Sequence, residues 1–323
     1  MGILTTIAMA AAIQSGIPSQ TVQANIAAPG PLGPLQGTLL SPANREVPVV
    51  LIVPGSGPTD RNGNGPNGLR ASTYRLLADG LLSHGIASVR IDKRGMYGSA
   101  SAIRDADDVT LDDYSADVHS WVATIRKRIG ASCVWLLGHS EGGLVTLVAA
   151  HHAADVCGLI LLSTAGRPLA QILREQLRAN PANAPFLDNA MTVLDALEAG
   201  QSVDATKIDR HLMPLFRPLV QRFLMRELSL DPTTLLADYT KPVLIVQGLR
   251  DLQVSAGDAQ RLKHAYPRAE LVLIDNANHV LKSVRSTDQN ENLDAYSNPD
   301  LPLADHVVEA ISTFVHDHAN SKP

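Results

Sequence analysis

The stretch Val134–Gly143, Val-Trp-Leu-Leu-Gly-His-Ser-Glu-Gly-Gly, constrains the fold of this 323-residue chain more than any other segment. A short apolar run ends in a Gly-x-Ser-x-Gly pattern, and small apolar residues follow, as at the start of a buried helix. The pattern predicts a sharp strand-to-helix turn, whose glycines let strand and helix cross closely and whose serine hydroxyl is exposed. We therefore expect Ser140 to be a nucleophile; the alternative is an ordinary turn with a serine near the helix N-cap.

A nucleophilic serine needs a histidine base, and the histidine needs an acid that orients it. The sequence predicts a buried strand that ends at Gln247 and leads into a turn carrying Asp251, and the next apolar run leads to His279. In a parallel sheet the residues that follow the strands meet at the carboxyl edge, so both are expected beside Ser140. Asp275 is the rival acid, and we rank it lower because it shares one short loop with His279.

With these residues the chain resembles the α/β-hydrolase superfamily, and more narrowly the bacterial EstD-like serine carboxylesterases. The matching segments include 54–61 (Pro-Gly-Ser-Gly-Pro-Thr-Asp-Arg), 92–95 (Asp-Lys-Arg-Gly) and 278–282 (Asn-His-Val-Leu-Lys). The resemblance implies a serine hydrolase that cleaves short- to medium-chain carboxylic esters through an acyl-enzyme, with no cofactor and no metal. An amidase, peptidase or thioesterase of the same superfamily is the alternative, because all of them use the same triad.

The Gly-rich loop 54–61 follows an apolar strand and is expected to form part of an oxyanion hole. Acyl transfer places negative charge on the former carbonyl oxygen, and preorganised N–H groups stabilise that charge. We expect the two donors to be the backbone N–H groups of Ser56 and Glu141, with Gly55 and Gly57 shaping the loop. A nucleotide site is disfavoured because neither a Gly-Lys-Ser/Thr nor a Gly-x-Gly-x-x-Gly pattern occurs.

Four further residues near this loop are candidates for loop support or for substrate contact. Asp60 and Arg61 are expected to form an ion pair that holds the loop, and Arg94 to anchor its own loop through a carboxylate; direct substrate contact is the alternative for each. Tyr97 departs from the family pattern Arg-Gly-x-Gly-x-Ser, in which its position is a glycine. The tyrosine either shapes the pocket or packs beside the loop.

The order of apolar segments predicts a mostly parallel α/β-hydrolase sheet with helices on both faces and an inserted helical cap. We assign 25–166 and 241–323 to the core, and 167–240, which shows amphipathic runs but no clear strand, to the cap. The cap is expected to cover the pocket and to set which substrates fit. Its candidate pocket residues, each weighed against simple packing within the cap, are Leu212, Met213, Leu215, Phe216, Leu219, Phe223 and Leu224.

The composition of the chain and its N-terminal segment indicate its broad class, its partners and its location. With 45% hydrophobic residues, 18% charged residues and a net charge of −5, the chain is predicted to be globular and to bind no nucleic acid. Its expected partner is a small ester, and its oligomeric state stays open. Residues 1–24 are predicted to be an arm of a cytoplasmic protein; if they act as a signal, the protein is periplasmic or secreted. Their apolar run is too short to span a bilayer, so no stable membrane insertion is expected.

The chain has two cysteines, Cys133 and Cys157, and each opens an apolar run that is expected to be a strand. Neighbouring parallel strands would bring the two thiols close together, so a disulfide is one alternative. Two buried free thiols are the alternative we favour. Two cysteines without further clustered ligands do not form a zinc site.

Overall fold

The computed structural model describes residues 21–43 and 46–319, so most of the predicted N-terminal arm lies outside the described residues. Its strands are β1 (Thr21–Ala28), β2 (Leu35–Pro42), β3 (Val49–Val53), β4 (Ala87–Ile91), β5 (Val134–His139), β6 (Val156–Leu162), β7 (Val243–Gly248) and β8 (Glu270–Ile274). Residues 21–24, which we expected in the arm, belong to β1 and pair with β2. The described part of the sheet therefore starts at residue 21 instead of 25.

All eight of these strands form one sheet in the order β1-β2-β4-β3-β5-β6-β7-β8. Strands β1 and β2 pair antiparallel, as do β2 and β4, and every other neighbouring pair is parallel. The parallel strands β3 and β5 are buried throughout, which is why they read as continuous apolar runs. The mostly parallel sheet confirms the predicted fold class.

Helices cover both faces of the sheet, as predicted. The helices in the described residues are α1 (Thr73–Ser83), α2 (Leu111–Ile129), α3 (Glu141–Ala150), α4 (Leu169–Ala179), α5 (Leu187–Glu198), α6 (Met213–Phe216), α7 (Pro218–Leu228), α8 (Pro232–Ala237), α9 (Ala256–Ala265), α10 (Gln289–Ser297) and α11 (Val307–Ala319). Side chains of α1 and α11 share one apolar cluster with the sheet, and side chains of α2, α3 and α9 share the other. Within the described ranges, none of the helices is both long and apolar enough to cross a membrane.

The side chains of β3 alternate between the two apolar clusters that flank the sheet. Leu51 and Val53 join the cluster that contains α2 and α3, while Val50 and Ile52 join the cluster that contains α1 and α11. Successive side chains of a strand point to opposite faces, so one strand stabilises both layers. Both helical layers therefore pack against the same strands, and the loops that follow those strands start from the carboxyl edge of the sheet.

Helices α4 to α8 lie between β6 and β7, in the stretch where the sequence predicts the cap. Side chains of α4 to α7 form a third apolar cluster, separate from the two that flank the sheet, whereas Leu236 of α8 lies in the cluster that contains α2, α3 and α9. Three arginines of this region pair with aspartates before and at the start of α2: Arg217 with Asp107, Arg222 with Asp108, and Arg226 with Asp112. Helices α4 to α7 therefore form a small helical cluster of their own, and these three charged pairs join it to the start of α2.

Cys133 and Cys157 form a disulfide, with their Cα atoms 5.1 Å apart. The prediction of two free thiols, which we had favoured, was wrong. The pairing follows from the sheet, because Cys133 immediately precedes β5, Cys157 lies near the start of β6, and these strands are neighbours. The bridge thus joins the two strands at the amino edge of the sheet, opposite the edge at which β5 leads into Ser140.

Candidate active site

Ser140 lies at the turn between β5 and α3, in the position that the sequence predicts. Its backbone has φ 54° and ψ −122°, a conformation that non-glycine residues rarely adopt and that costs on the order of 1–3 kcal/mol. The flanking glycines are required by close packing: a Cβ on Gly138 would lie 2.3 Å from the Gly142 carbonyl oxygen, and a Cβ on Gly142 would lie 2.4 Å from that of Val53. The turn therefore has the strained, tightly packed geometry of a nucleophile elbow.

His279 and Asp251 lie together at the same edge of the sheet. The His279 Nδ1 and Asp251 Oδ2 atoms are 2.8 Å apart, and both side chains are almost fully buried. Burial by itself would raise the pKa of Asp251, but the His279 ring and the N–H groups of Val254 and Gln253 outweigh burial and lower that pKa. Asp251, and not the rival Asp275, is thus the ionised partner of the histidine.

Ser140 and His279 both line a pocket of about 120 Å³. The structure has no hydrogen bond between the two side chains; such contacts are often long in ligand-free enzymes and tighten when substrate binds. The pocket brings together the loop after β3, the elbow, and the chain that follows β7 and β8. Its lining residues are Gly55, Ser56, Thr59, Gly63, Leu69, Thr73, Tyr74, His139, Ser140, Gln253, His279, Val280 and Tyr296.

The loop after β3 packs directly against the elbow. A Cβ on Gly55 would lie 3.2 Å from both the Ser140 Cβ and the His139 carbonyl oxygen, so only glycine allows this close approach without displacement. Ser56 follows Gly55 and lines the pocket. Glu141 is the first residue of α3, where a backbone N–H has no acceptor within its own helix. The two predicted oxyanion donors are therefore on segments that meet at Ser140.

A chain of hydrogen bonds behind the pocket links this loop to the histidine. The Gly55 N–H donates to Tyr74 Oη over 3.0 Å, and Tyr74 Oη lies 3.0 Å from His139 Nδ1. His139 Nε2 lies 2.8 Å from the His279 carbonyl oxygen, which can only accept. Nε2 therefore carries the proton, and Nδ1 accepts the Tyr74 hydroxyl. Neutral His139 thus ties Gly55 on one side to His279 on the other.

A sequence profile of the alpha/beta hydrolase family matches residues 49–285, which is most of the chain. The chain belongs to the alpha/beta hydrolase family. Solved structures support the same fold: Est1E from Butyrivibrio proteoclasticus is similar with a TM-score of 0.58 and 20% identity, covering 92% of this chain and 99% of that one. The esterase Pf2001 of Pyrococcus furiosus is similar with a TM-score of 0.58 and 15% identity, covering 95% and 96%. Comparison with curated proteins gives no match.

In this alpha/beta hydrolase the loop 54–61 is held by Asp92, not by an ion pair between its own residues. Arg61 Nη2 lies 2.5 Å from Asp92 Oδ2, and the Arg61 backbone N–H also donates to that carboxylate. Asp60 instead accepts the backbone N–H groups of Asn62 and Asn64 and closes a local turn. The predicted Asp60–Arg61 pair was wrong, because the carboxylate at the end of β4 is better placed for the guanidinium.

Arg94 and Tyr97 of the hydrolase both have supporting contacts. Arg94 donates to both carboxylate oxygens of Asp117 at 2.6 and 2.9 Å and to Asp113 at 3.0 Å, as the anchoring interpretation requires. The Tyr97 hydroxyl donates to the Pro58 carbonyl oxygen over 2.6 Å, and its side chain does not line the pocket. Tyr97 has φ 45°, so it occupies the backbone conformation for which the family pattern has a glycine.

The pocket of the hydrolase is not lined by the cap residues that we named as candidates. Leu212, Phe216 and Leu224 lie in the apolar cluster of α4 to α7, with Met213 and Leu215 packed against it. The other two candidates are also elsewhere: the Phe223 ring packs against that of Tyr114, and Leu219 is exposed to solvent. Of the described residues, no member of 167–240 lines this pocket. Packing within the cap, the alternative to pocket lining, accounts for most of the seven.

Sequence reasoning missed several residues around the site. Tyr296 on α10 and Gln253 face the pocket and share a hydrogen bond of 2.7 Å, and burial raises the pKa of the Tyr296 hydroxyl to about 12. No motif marks either residue. His139 lies in the elbow motif and Lys93 in the Asp-Lys-Arg-Gly segment. Each is a polar residue at the end of a buried strand, and that position is the sequence signal that could have identified both.

Proposed function

We propose that this hydrolase is a serine esterase that cleaves carboxylic esters of short to medium acyl chains through an acyl-enzyme. The observation that carries the proposal is one arrangement: Ser140 on a strained elbow shares a pocket with His279, whose Nδ1 is hydrogen-bonded to Asp251. A nucleophile, a base and an orienting acid in this order suit acyl transfer.

The chemistry follows from these groups. His279 Nε2 takes the proton from the Ser140 hydroxyl as the oxygen attacks the ester carbonyl, and Asp251 stabilises the imidazolium that forms. The backbone N–H groups of Ser56 and Glu141 donate to the oxyanion. His279 then protonates the leaving alcohol, and water attacks the acyl-enzyme with His279 again as the base. The only atoms consumed are those of the ester and of one water molecule.

Two features support an ester substrate of modest size. The pocket of about 120 Å³ is small, and its lining includes apolar groups such as Leu69 and Val280 beside the polar ones. The similar structures include the esterase Pf2001 of Pyrococcus furiosus and Est1E of Butyrivibrio proteoclasticus, and Est1E has been solved with ferulic acid bound. Esters are thus the first substrates to test, ahead of amides.

The test is hydrolysis of p-nitrophenyl acetate, butyrate and octanoate by the wild type and by Ser140→Ala. Loss of a triad nucleophile lowers kcat by three or more orders of magnitude, so we expect at least about a thousandfold decrease. Ser120→Ala is the matched control, since that serine on α2 only donates to the Pro29 carbonyl oxygen. A wild type inert toward all three esters but active on a matched p-nitroanilide would replace the esterase with an amidase, and full activity in Ser140→Ala would overturn the proposal.

A further inference from the structure

Lys93 places a buried ammonium directly behind the loop that carries Ser56. Its side chain is only 5% exposed, and Nζ donates to the Gly55 carbonyl oxygen over 2.7 Å. The same Nζ lies 3.6 Å from Glu141 Oε1 and 5.4 Å from the centre of the Tyr114 ring. Burying an ammonium is costly unless charged or polar groups compensate it, so these few partners define the position of the lysine closely.

The contact with Gly55 fixes the direction of the next N–H group. The Gly55 C=O and the Ser56 N–H belong to one planar trans peptide, in which the two groups point in opposite directions. Because the carbonyl oxygen faces the buried ammonium, the Ser56 N–H faces away from it, on the side where Ser56 lines the pocket. The N–H of Gly55 itself is held by Tyr74 Oη, so the chain is fixed on both sides of Gly55.

Glu141, whose backbone N–H is the second predicted oxyanion donor, contacts the same ammonium through its side chain. Its backbone N–H begins α3 next to Ser140, and its side chain is 12% exposed and directed at Lys93. A further carboxyl, that of Glu227 on α7, is buried and acts electrostatically on both residues. Burial and the neighbouring Glu141 raise the pKa of Glu227, so its carboxyl favours the neutral form. Burial lowers the pKa of Lys93, and Glu141 and Glu227 act in the opposite direction and favour its ammonium form.

We propose that Lys93 is the positioning residue of the oxyanion hole: its ammonium joins the Gly55–Ser56 peptide to the Glu141 turn and keeps both backbone N–H groups directed into the pocket. The proposal rests on the proposed esterase function. A hydrogen bond from the ammonium to the carbonyl oxygen of a peptide also makes the N–H of that peptide a stronger donor, because hydrogen bonds in series polarise one another. Without the ammonium, the Gly55 carbonyl loses its buried partner, and the peptide is free to rotate its oxygen toward the pocket.

The test compares Lys93→Met with Lys241→Met. Lys241 is the matched control because its Nζ also donates to backbone carbonyls, those of Ala153 and Ala154, but before β7 at the opposite edge of the sheet. Losing one oxyanion donor costs about 10²–10³ in kcat, and Lys93 acts one step removed, so we expect a decrease of about 10- to 100-fold. The KM for p-nitrophenyl acetate should stay within about twofold, since the effect is on the transition state.

Two further measurements separate positioning from general damage. A trifluoromethyl ketone, which forms a tetrahedral oxyanion adduct on Ser140, should lose affinity by the same factor as kcat in Lys93→Met and keep it in Lys241→Met. Lys93→Arg keeps a cation behind the loop and should recover part of both losses. If Lys93→Met does not fold, the double variant Lys93→Met/Glu227→Gln removes one unpaired buried carboxyl and is measured in its place.

The outcomes are distinct. Wild-type kcat in Lys93→Met, an equal loss in Lys241→Met, or a fall in kcat without a fall in ketone affinity overturns the role of Lys93 and leaves the esterase in place, provided that Ser140→Ala is inactive in the same series. A wild type that hydrolyses no ester, or an active Ser140→Ala, overturns both proposals together.

Discussion

His139 is the clearest case of a single residue whose role is set by its surroundings. The ring is buried between the Tyr74 hydroxyl and the His279 carbonyl oxygen, each of which needs a different ring nitrogen. Burial, reinforced by the nearby His279, lowers the pKa of His139 to about 4. The ring therefore stays neutral near pH 7, and it acts as a structural link between two parts of the site and not as a base.

The depressed pKa of His139 predicts a specific loss of stability in acid. The folded state holds the ring neutral down to about pH 4, whereas the unfolded chain protonates it near pH 6.5. The contribution of the neutral His139 ring to the free energy of unfolding is therefore fully present above pH 6.5. It is lost as the pH falls toward 4, by up to about 1.4 kcal/mol per pH unit. Urea unfolding at pH 7.5, 6 and 5 should show a shallower pH dependence for His139→Gln than for the wild type; equal dependences would contradict the account.

Asp251 and Asp275 make a second prediction at this scale. Replacing the triad acid by its amide favours the wrong imidazole tautomer, which in a well-studied serine protease costs about 10⁴ in kcat. We expect a loss of that order in Asp251→Asn, because Asp251 accepts from His279 Nδ1. Asp275→Asn is the matched control and should stay within about twofold of the wild type, measured as kcat/KM on p-nitrophenyl acetate. The reverse pattern would make Asp275 the acid.

At the scale of elements, the loop after β4 and helix α2 are joined by a buried guanidinium. The Arg94 and Asp117 side chains are each 8% exposed, and two hydrogen bonds join the guanidinium to the two carboxylate oxygens. Helix α7 is joined to the same end of α2 by exposed pairs, such as Arg222 with Asp108, whose side chains are 58% and 63% exposed. The two kinds of pair look alike in distance and differ in solvent exposure.

This difference predicts unequal effects of two similar substitutions. Arg94→Met leaves Asp117 buried without its partner and should lower the free energy of unfolding by about 3–5 kcal/mol. Arg222→Met breaks a surface pair and should cost less than about 1 kcal/mol. Urea unfolding of both variants checks the comparison, and similar costs for the two would show that burial is not what distinguishes these pairs.

At the scale of the whole molecule, the features predicted correctly from the sequence are those that a local pattern of residues determines. The elbow around Ser140, the strands that lead to Asp251 and His279, and the mostly parallel sheet all leave short, readable signals in the chain. A strand run, a turn and the small residues after it are enough to place each side chain at the carboxyl edge.

The features that could not be predicted from the sequence depend on contacts between segments that are far apart in the chain. Arg61 pairs with Asp92, 31 positions along the chain, and no local pattern favours that carboxylate over the adjacent Asp60. Lys93 and Tyr74 acquire their roles only when the strands are assembled around Gly55. The disulfide likewise depends on the exact separation of Cys133 and Cys157, whose Cα atoms are 5.1 Å apart, and the expected neighbouring strands alone do not determine that distance. The pocket-lining role of α10 left no signal, since its sequence resembles that of any polar surface helix.

The disulfide gives a prediction for the whole molecule. Cys133 and Cys157 close a loop of 24 positions, for which chain entropy predicts about 3.5 kcal/mol of stabilisation. The double variant Cys133→Ser/Cys157→Ser should lose about that much free energy of unfolding and keep its kcat within about twofold, since the bridge lies at the edge of the sheet opposite Ser140. Urea unfolding with and without dithiothreitol checks this, and wild-type stability that does not respond to dithiothreitol would argue against the bridge.

The central claim is that Ser140 is a nucleophile activated by His279, and covalent labelling tests it most directly. The wild type, Ser140→Ala and His279→Ala are treated with a fluorophosphonate, and the site is located by peptide mass spectrometry. The account predicts one adduct, on the peptide that contains Ser140, absent in Ser140→Ala and formed at least about a hundredfold more slowly in His279→Ala. An adduct on another residue, or labelling of His279→Ala at the wild-type rate, would contradict it.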